Sequence, residues 1–170
     1  MLKAILSWAI VAWICKVFLA SLPYKFTQHP DTQHIFGTIG EWLGGITTPT
    51  LGNLFSSVGA FAVGGFELLT SFVLLLPALL VLIKKLSGGN WQGIRARWHV
   101  IGGLMAAMVM TGAVFFHLFT PLGIEVLHEG KSDGGSLFYA AVSILVLGLV
   151  LAVMNFIGRK PVSHELGNAA

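Results

Sequence analysis

Apolar and polar positions divide this chain into four long hydrophobic runs joined by polar connectors. The runs cover residues 2–22, 58–83, 98–120 and 136–157, and together they take up more than half of the sequence. Each is long enough for a helix across the hydrocarbon core of a bilayer, which takes about 20 apolar residues at 1.5 Å per residue. The first run follows Met1 directly and looks at first like the apolar part of a signal peptide. It is too long for one, and no small-x-small cleavage site precedes Pro23, so it reads as a mature helix. Pro23 is expected to end it, because proline has no N–H for the helical ladder. The second run closes at Lys84-Lys85, the third at Pro121 and the fourth before Arg159-Lys160. The pattern predicts an all-α fold, an integral membrane four-helix bundle forming one domain over residues 1–170.

The connectors differ in kind. Residues 24–57 form the longest polar stretch. Within it, Asp31 stands as an N-cap before Ile35, Phe36, Ile39, Trp42 and Leu43, which are apolar at near-helical spacing. A short surface helix over residues 31–43 is therefore expected, folded back over the bundle. Gly59, Gly64 and Gly65 in the second run are expected to let helices approach closely. A small-residue face on the third run, Gly102-Gly103, Ala106-Ala107 and Gly112, offers packing against another chain.

Composition agrees with a membrane solvent. The chain is 55% hydrophobic and 10% charged, against about 25% charged in a soluble domain, and its mean hydropathy is +0.83. A net charge of +3 does not point to nucleic acid, because the basic residues lie in the gaps between runs. Lys3, Lys84, Lys85, Arg95, Arg97, Arg159 and Lys160 flank one side, whereas Lys25 and Lys131 flank the other. Basic residues are retained in the cytoplasm, so both termini and residues 86–97 are expected inside, with residues 24–57 and 122–135 outside. Asp31, Glu41, Glu125, Glu129 and Asp133 all fall outside on this assignment.

Charge inside the runs carries the candidate chemistry, because an ionised side chain at a helix centre costs about 2.5–3.5 kcal/mol on insertion scales. Lys16 and Glu67 qualify. Counted from the outer ends of their runs they lie roughly 9 and 13 Å deep, which allows them to pair, and Lys25 could reach Glu67 instead if the chain after Pro23 folds back into the mouth. His117 lies above them, and Lys25, Glu125 and Asp133 border the same outer half. The expected site is an outward-opening polar pocket of Lys16, Lys25, Glu67, His117, Glu125 and Asp133. It would take a small polar molecule or a quinone headgroup, or relay protons; the plainer alternative is an ion pair that fixes helix register.

Other cofactors fit less well. His29, His34 and His128 lie in the outer connectors at no metal-ligand spacing, so no metal is expected. His99 and His117 stand on one helix about 27 Å apart and cannot share a haem iron within one chain. His99 reads as an interfacial residue. Cys15 is the one cysteine, which excludes an internal disulfide. Trp8, Trp13, Phe115, Phe116 and Phe119 read as packing or lipid-facing groups. The sequence shows no phosphate loop, nucleophile elbow or HExxH motif.

Several stretches together resemble the DoxX family of small bacterial membrane proteins. They are LPYKFTQHPDTQHIFGTIG after the first run, GGFELL in the second, AAMVMTGAVFFHLFTPLGIEV through the third, and DGGSLFYAAVSIL opening the fourth. The resemblance covers most of the chain in order. It implies a four-helix fold in the bacterial cytoplasmic membrane and a redox-linked role, since the family takes its name from a subunit associated with a terminal quinol oxidase. Residues at the matching positions are Lys25, Glu67, His117, Glu125 and Asp133, and residues 41–57 form a longer link than is usual. The function expected is an accessory or subunit role in a quinone-linked membrane system, with lipid and other redox subunits, or further copies of the chain, as partners. A small-molecule binder or carrier and a structural assembly partner are the alternatives.

Overall fold

A computed structural model describes residues 1–87 and 94–157. Residues 88–93, in the connector between the second and third runs, lie outside the described residues, as does the tail with Arg159 and Lys160. The chain folds into α1 (Leu2–Phe26), α2 (Pro30–Ile46), α3 (Pro49–Ser87), α4 (Ile94–Phe119), β1 (Leu127–His128), β2 (Lys131–Ser132) and α5 (Ser136–Phe156). The fold is all-α but for that small hairpin, and α1, α3, α4 and α5 are each long and apolar enough to cross a membrane. They pack in a ring in which α1 meets α3, α3 meets α4, α4 meets α5, and α5 returns to α1. Val11, Ile14, Phe18, Leu74, Ile144 and Leu151 fill the centre. Large apolar side chains such as Leu69, Phe72, Met108 and Val153 face outward, which suits a lipid surrounding rather than water.

Several helix boundaries differ from expectation, three of them for a plain local reason. Helix α1 runs on past Pro23 to Phe26. Proline deletes one hydrogen bond but leaves its own carbonyl free, and that oxygen accepts the backbone N–H (3.0 Å) and hydroxyl (2.7 Å) of Thr27. Helix α2 begins one residue before Asp31. His29 is the N-cap, its imidazole accepting the Asp31 N–H, with Pro30 at the first helical position, where a missing N–H costs nothing. Asp31 therefore sits in the first turn. Helix α3 starts at Pro49, well before the expected residue 58, and is 39 residues long. Its early turns pair with α2 as a helical hairpin, so residues 41–57, expected as link, are almost entirely helical.

Close helix approaches occur at Gly59 and Gly64 of α3, where a Cβ would stand 2.9 Å from the Phe36 ring and 3.1 Å from the Phe26 ring, and also at glycines of α4 and α5. A Cβ on Gly103 would stand 2.6 Å from the Gly148 carbonyl oxygen, and one on Gly148 would stand 2.7 Å from the Gly103 oxygen. Helices α4 and α5 thus touch backbone to backbone. Ala106 and Ala107 are buried on the same side, which commits that small-residue face to packing within the chain. Gly65, by contrast, faces open space.

The connector after α4 closes with a tight turn at Glu129-Gly130, both at positive φ (51° and 77°), as a two-residue hairpin requires. Asp133 ties this hairpin to α5. Its Oδ1 accepts the N–H groups of Val126 and Gly135 (both 2.9 Å), and its Oδ2 accepts the Leu137 N–H (2.9 Å) and the Ser136 hydroxyl (3.1 Å). Partial burial alone would raise its pKa, but these four donors outweigh it and hold the carboxyl below its usual value. A depressed carboxylate stabilises the fold above its unfolded pKa, near 3.9, and that contribution disappears as pH falls through the folded value. Thermal melts in detergent are expected to show a loss below about pH 4 that shrinks in Asp133→Asn, the variant also melting lower at neutral pH. An unchanged acid limb in the variant would remove Asp133 from this role.

Candidate binding chamber

The stripe of α1 that packs into the bundle continues past Phe18 to Ser21 and Lys25, one turn apart. Both meet Glu67 of α3. Glu67 Oε2 accepts from Lys25 Nζ (2.8 Å) and from the Ser21 hydroxyl (2.8 Å), and Lys25 Nζ lies 2.7 Å from Ser21 Oγ. The side chains are 14% and 4% exposed for Lys25 and Glu67, so this is a buried ion pair bridged by a hydroxyl. Gly64, one turn before Glu67, makes room for it: a Cβ there would crowd the Lys25 stem at 3.3 Å.

Lys16 does not reach Glu67. Nine residues from Lys25 amount to about 900° of helix rotation, which puts the two on opposite faces of α1. Lys16 is exposed, and its ammonium rests 5.6 Å from the centre of the Trp13 ring.

Beside the ion pair lies a cavity of about 730 Å³ bounded by all five helices. Its wall is largely apolar, with Phe18, Phe36, Ile39, Met110 and Phe116 among the residues lining it. Lys16, Lys25, Glu67 and His117 all line it too. His117 hydrogen-bonds the Gly123 carbonyl through Nδ1 at 2.6 Å. A carbonyl accepts only, so Nδ1 carries the proton, and in the neutral ring Nε2 is left as an acceptor. The other two candidates stand apart from the chamber. Glu125 is exposed on the connector between α4 and α5 and takes the Ser132 hydroxyl, while Asp133 serves as the cap described above.

Sequence reasoning missed Ser21, Tyr24, Asp31 and Thr32, which also line the chamber. Asp31 additionally accepts the Glu129 N–H at 3.3 Å, pinning α2 to the hairpin. The signal was present in the spacing of Thr32, Phe36 and Ile39, the buried face of α2, which Asp31 and Ile35 flank. Trp13 and Phe116, taken as packing groups, line the chamber as well, whereas Phe115 and Phe119 are exposed.

At the opposite end of the bundle, Asn155 Nδ2 donates to Ser7 Oγ (3.1 Å) and joins α5 to α1. His99, expected at an interface, is fully buried there, edge-on to Trp8 with ring centres 4.8 Å apart. Among the described residues, neither of its ring nitrogens has a hydrogen-bond partner. Among the described residues, no three His, Cys, Asp or Glu side chains stand close enough to hold a metal ion. Comparison with known proteins finds no matching family model, no similar curated protein and no similar solved structure.

Proposed function

We propose that this chain is a multi-pass protein of the bacterial cytoplasmic membrane, with both termini cytoplasmic, that binds a quinone-type molecule and serves a membrane redox system as an accessory or subunit. The observation that carries the binding half is the chamber. Its volume of about 730 Å³ falls within the 300–1,000 Å³ of small-molecule sites, which are typically apolar with a few convergent polar groups. A quinone ring suits that wall. Its carbonyl oxygens accept hydrogen bonds, which the Lys25 ammonium can give, and the hydroxyl of a quinol donates, which His117 Nε2 can receive. The orientation is supported by the basic residues, seven on one side of the runs and two on the other. The redox setting is supported by the DoxX resemblance of the stretches around Lys25, Glu67 and His117.

Gly112 provides the test. It lines the chamber, and a Cβ there meets nothing within 4 Å, so a leucine would project into empty space. Gly112→Leu is expected to keep the melting temperature while lowering binding of a short-chain benzoquinone at least about tenfold, the equivalent of 1.4 kcal/mol. Saturable binding to the native protein in lipid nanodiscs is the prerequisite. No such binding, or equal binding by the variant, would sink the proposal.

A further inference from the structure

The chamber is not closed on all sides. Trp13, Lys16, Ala20 and Tyr24 follow one another at three- and four-residue spacing on one face of α1, and all four line the cavity. All four are also exposed at the surface, Trp13 by 40%. Across from them on α5, Leu137 lines the cavity while 44% exposed, and Ala140 lines it half-buried. A side chain that meets both the chamber and the outside marks an opening. Apart from Met108 on α4, a lone further one at 61% exposed, such residues border a slot between α1 and α5. Its floor is the hydrogen bond from Trp13 Nε1 to Ser143 Oγ, 3.0 Å long. From Ser143 back to the start of α5 it rises about 10 Å. Above it lie α2 and the hairpin, with Leu127 at the upper edge.

A slot between two membrane-spanning helices faces lipid. Lys16 stands on its rim, and among the described residues no carboxylate forms an ion pair with it. A lysine stem lies along apolar surface readily, but its ammonium still favours an acceptor oxygen at that depth. The slot thus combines an apolar passage as wide as one helix gap, a cation at its edge, and a polar corner at Lys25 and Glu67 inside.

Resting on the chamber being a binding site, we infer that the ligand is a tailed amphiphile that enters sideways from the bilayer. Its head carries an acceptor oxygen past Lys16 to the Lys25–Glu67–His117 end, and its tail stays in the slot between α1 and α5. Lys16 is then a specificity residue at the entrance.

The experiment uses the full chain in nanodiscs and two probes, a decyl-tailed benzoquinone and the same ring without the tail. Bound quinone is extracted and quantified against empty discs. The tailed probe is expected to bind at least about tenfold tighter, since the tail concentrates it in the bilayer and fills the slot. Ala20→Trp and Ala140→Trp, which plug the slot from either side, are expected to weaken the tailed probe about tenfold and several-fold more than they weaken the bare ring. Tailed and bare rings binding alike, or both plugged variants binding the tailed probe normally, would overturn the slot while leaving the chamber intact. Binding of neither ring defeats the quinone reading itself. The slot is then decided by a fatty acid carrying a diazirine on its chain. Adducts on the buried chamber residues Phe18 and Met110 are expected, and adducts confined to exposed residues overturn the inference whatever the head group.

Discussion

Lys25→Met is expected to cost the bundle about 3–5 kcal/mol, because it strands the Glu67 carboxylate in a buried setting with Ser21 as its remaining partner. The pair itself need not add net stability, since taking two charges out of water offsets much of their attraction. Breaking it is the costly event. Glu67→Gln strands the ammonium instead and is expected to lose less, as Lys25 is the more exposed partner, 14% against 4%, and its flexible stem can carry the charge toward water. In the double variant neither charge remains to be stranded, so most of the loss should return. A double-mutant cycle on thermal unfolding in detergent reads the coupling directly. Additive losses would mean that the two side chains do not depend on each other. Full recovery of stability with quinone binding intact would make the pair a register device; recovered stability with binding lost would place it in the chamber's chemistry.

The second large effect belongs to Gly103. Any side chain here drives into the Gly148 carbonyl at 2.6 Å, and the obstacle is backbone, which cannot rotate away. Gly103→Ala should cost at least about 1–3 kcal/mol, the usual range for overpacking, and Gly103→Leu should prevent α4 and α5 from docking. Gly65→Ala is the matched control, since its Cβ meets nothing within 4 Å. It should be neutral or slightly stabilising, because alanine is the better helix former by about 1 kcal/mol. Equal losses at the two positions would show that the glycines matter for backbone freedom and not for contact.

The four long helices were legible because apolar length is a one-dimensional property. Which side chains meet was less so, and Lys25 shows why. The sequence ended α1 at Pro23, which would leave Lys25 in a loop, so depth suited Lys16 to Glu67 and Lys25 could reach it only if the chain after Pro23 folded back. One further helical turn, held by Thr27 on the Pro23 carbonyl, brings Lys25 onto the Ser21 face and settles the partner by angle instead. Depth along a helix can be counted from residues; rotation about it depends on where the helix stops. Asp133 failed differently. Its place among outer acids suggested a binding role, whereas the two glycines that follow it allow the turn in which it accepts four donors. The chamber was half visible, because the α2 face that roofs it has the right spacing, but an internal void leaves no periodic trace in a sequence.

The sequence distances spanned by the polar contacts also dictate an order of assembly. Helices emerge from the ribosome in chain order. Lys25 and Glu67 are 42 residues apart, so the ion pair can form as soon as α3 is made, before either charge must face lipid alone. The contacts from Trp13 to Ser143 and from Asn155 to Ser7 span 130 and 148 residues and must wait for α5. Until synthesis reaches that point, the nascent bundle is an open array of three long helices with α1 and α4 as its free edges. The join made last is the one between α1 and α5, so the molecule is completed by closing its ring beside the chamber.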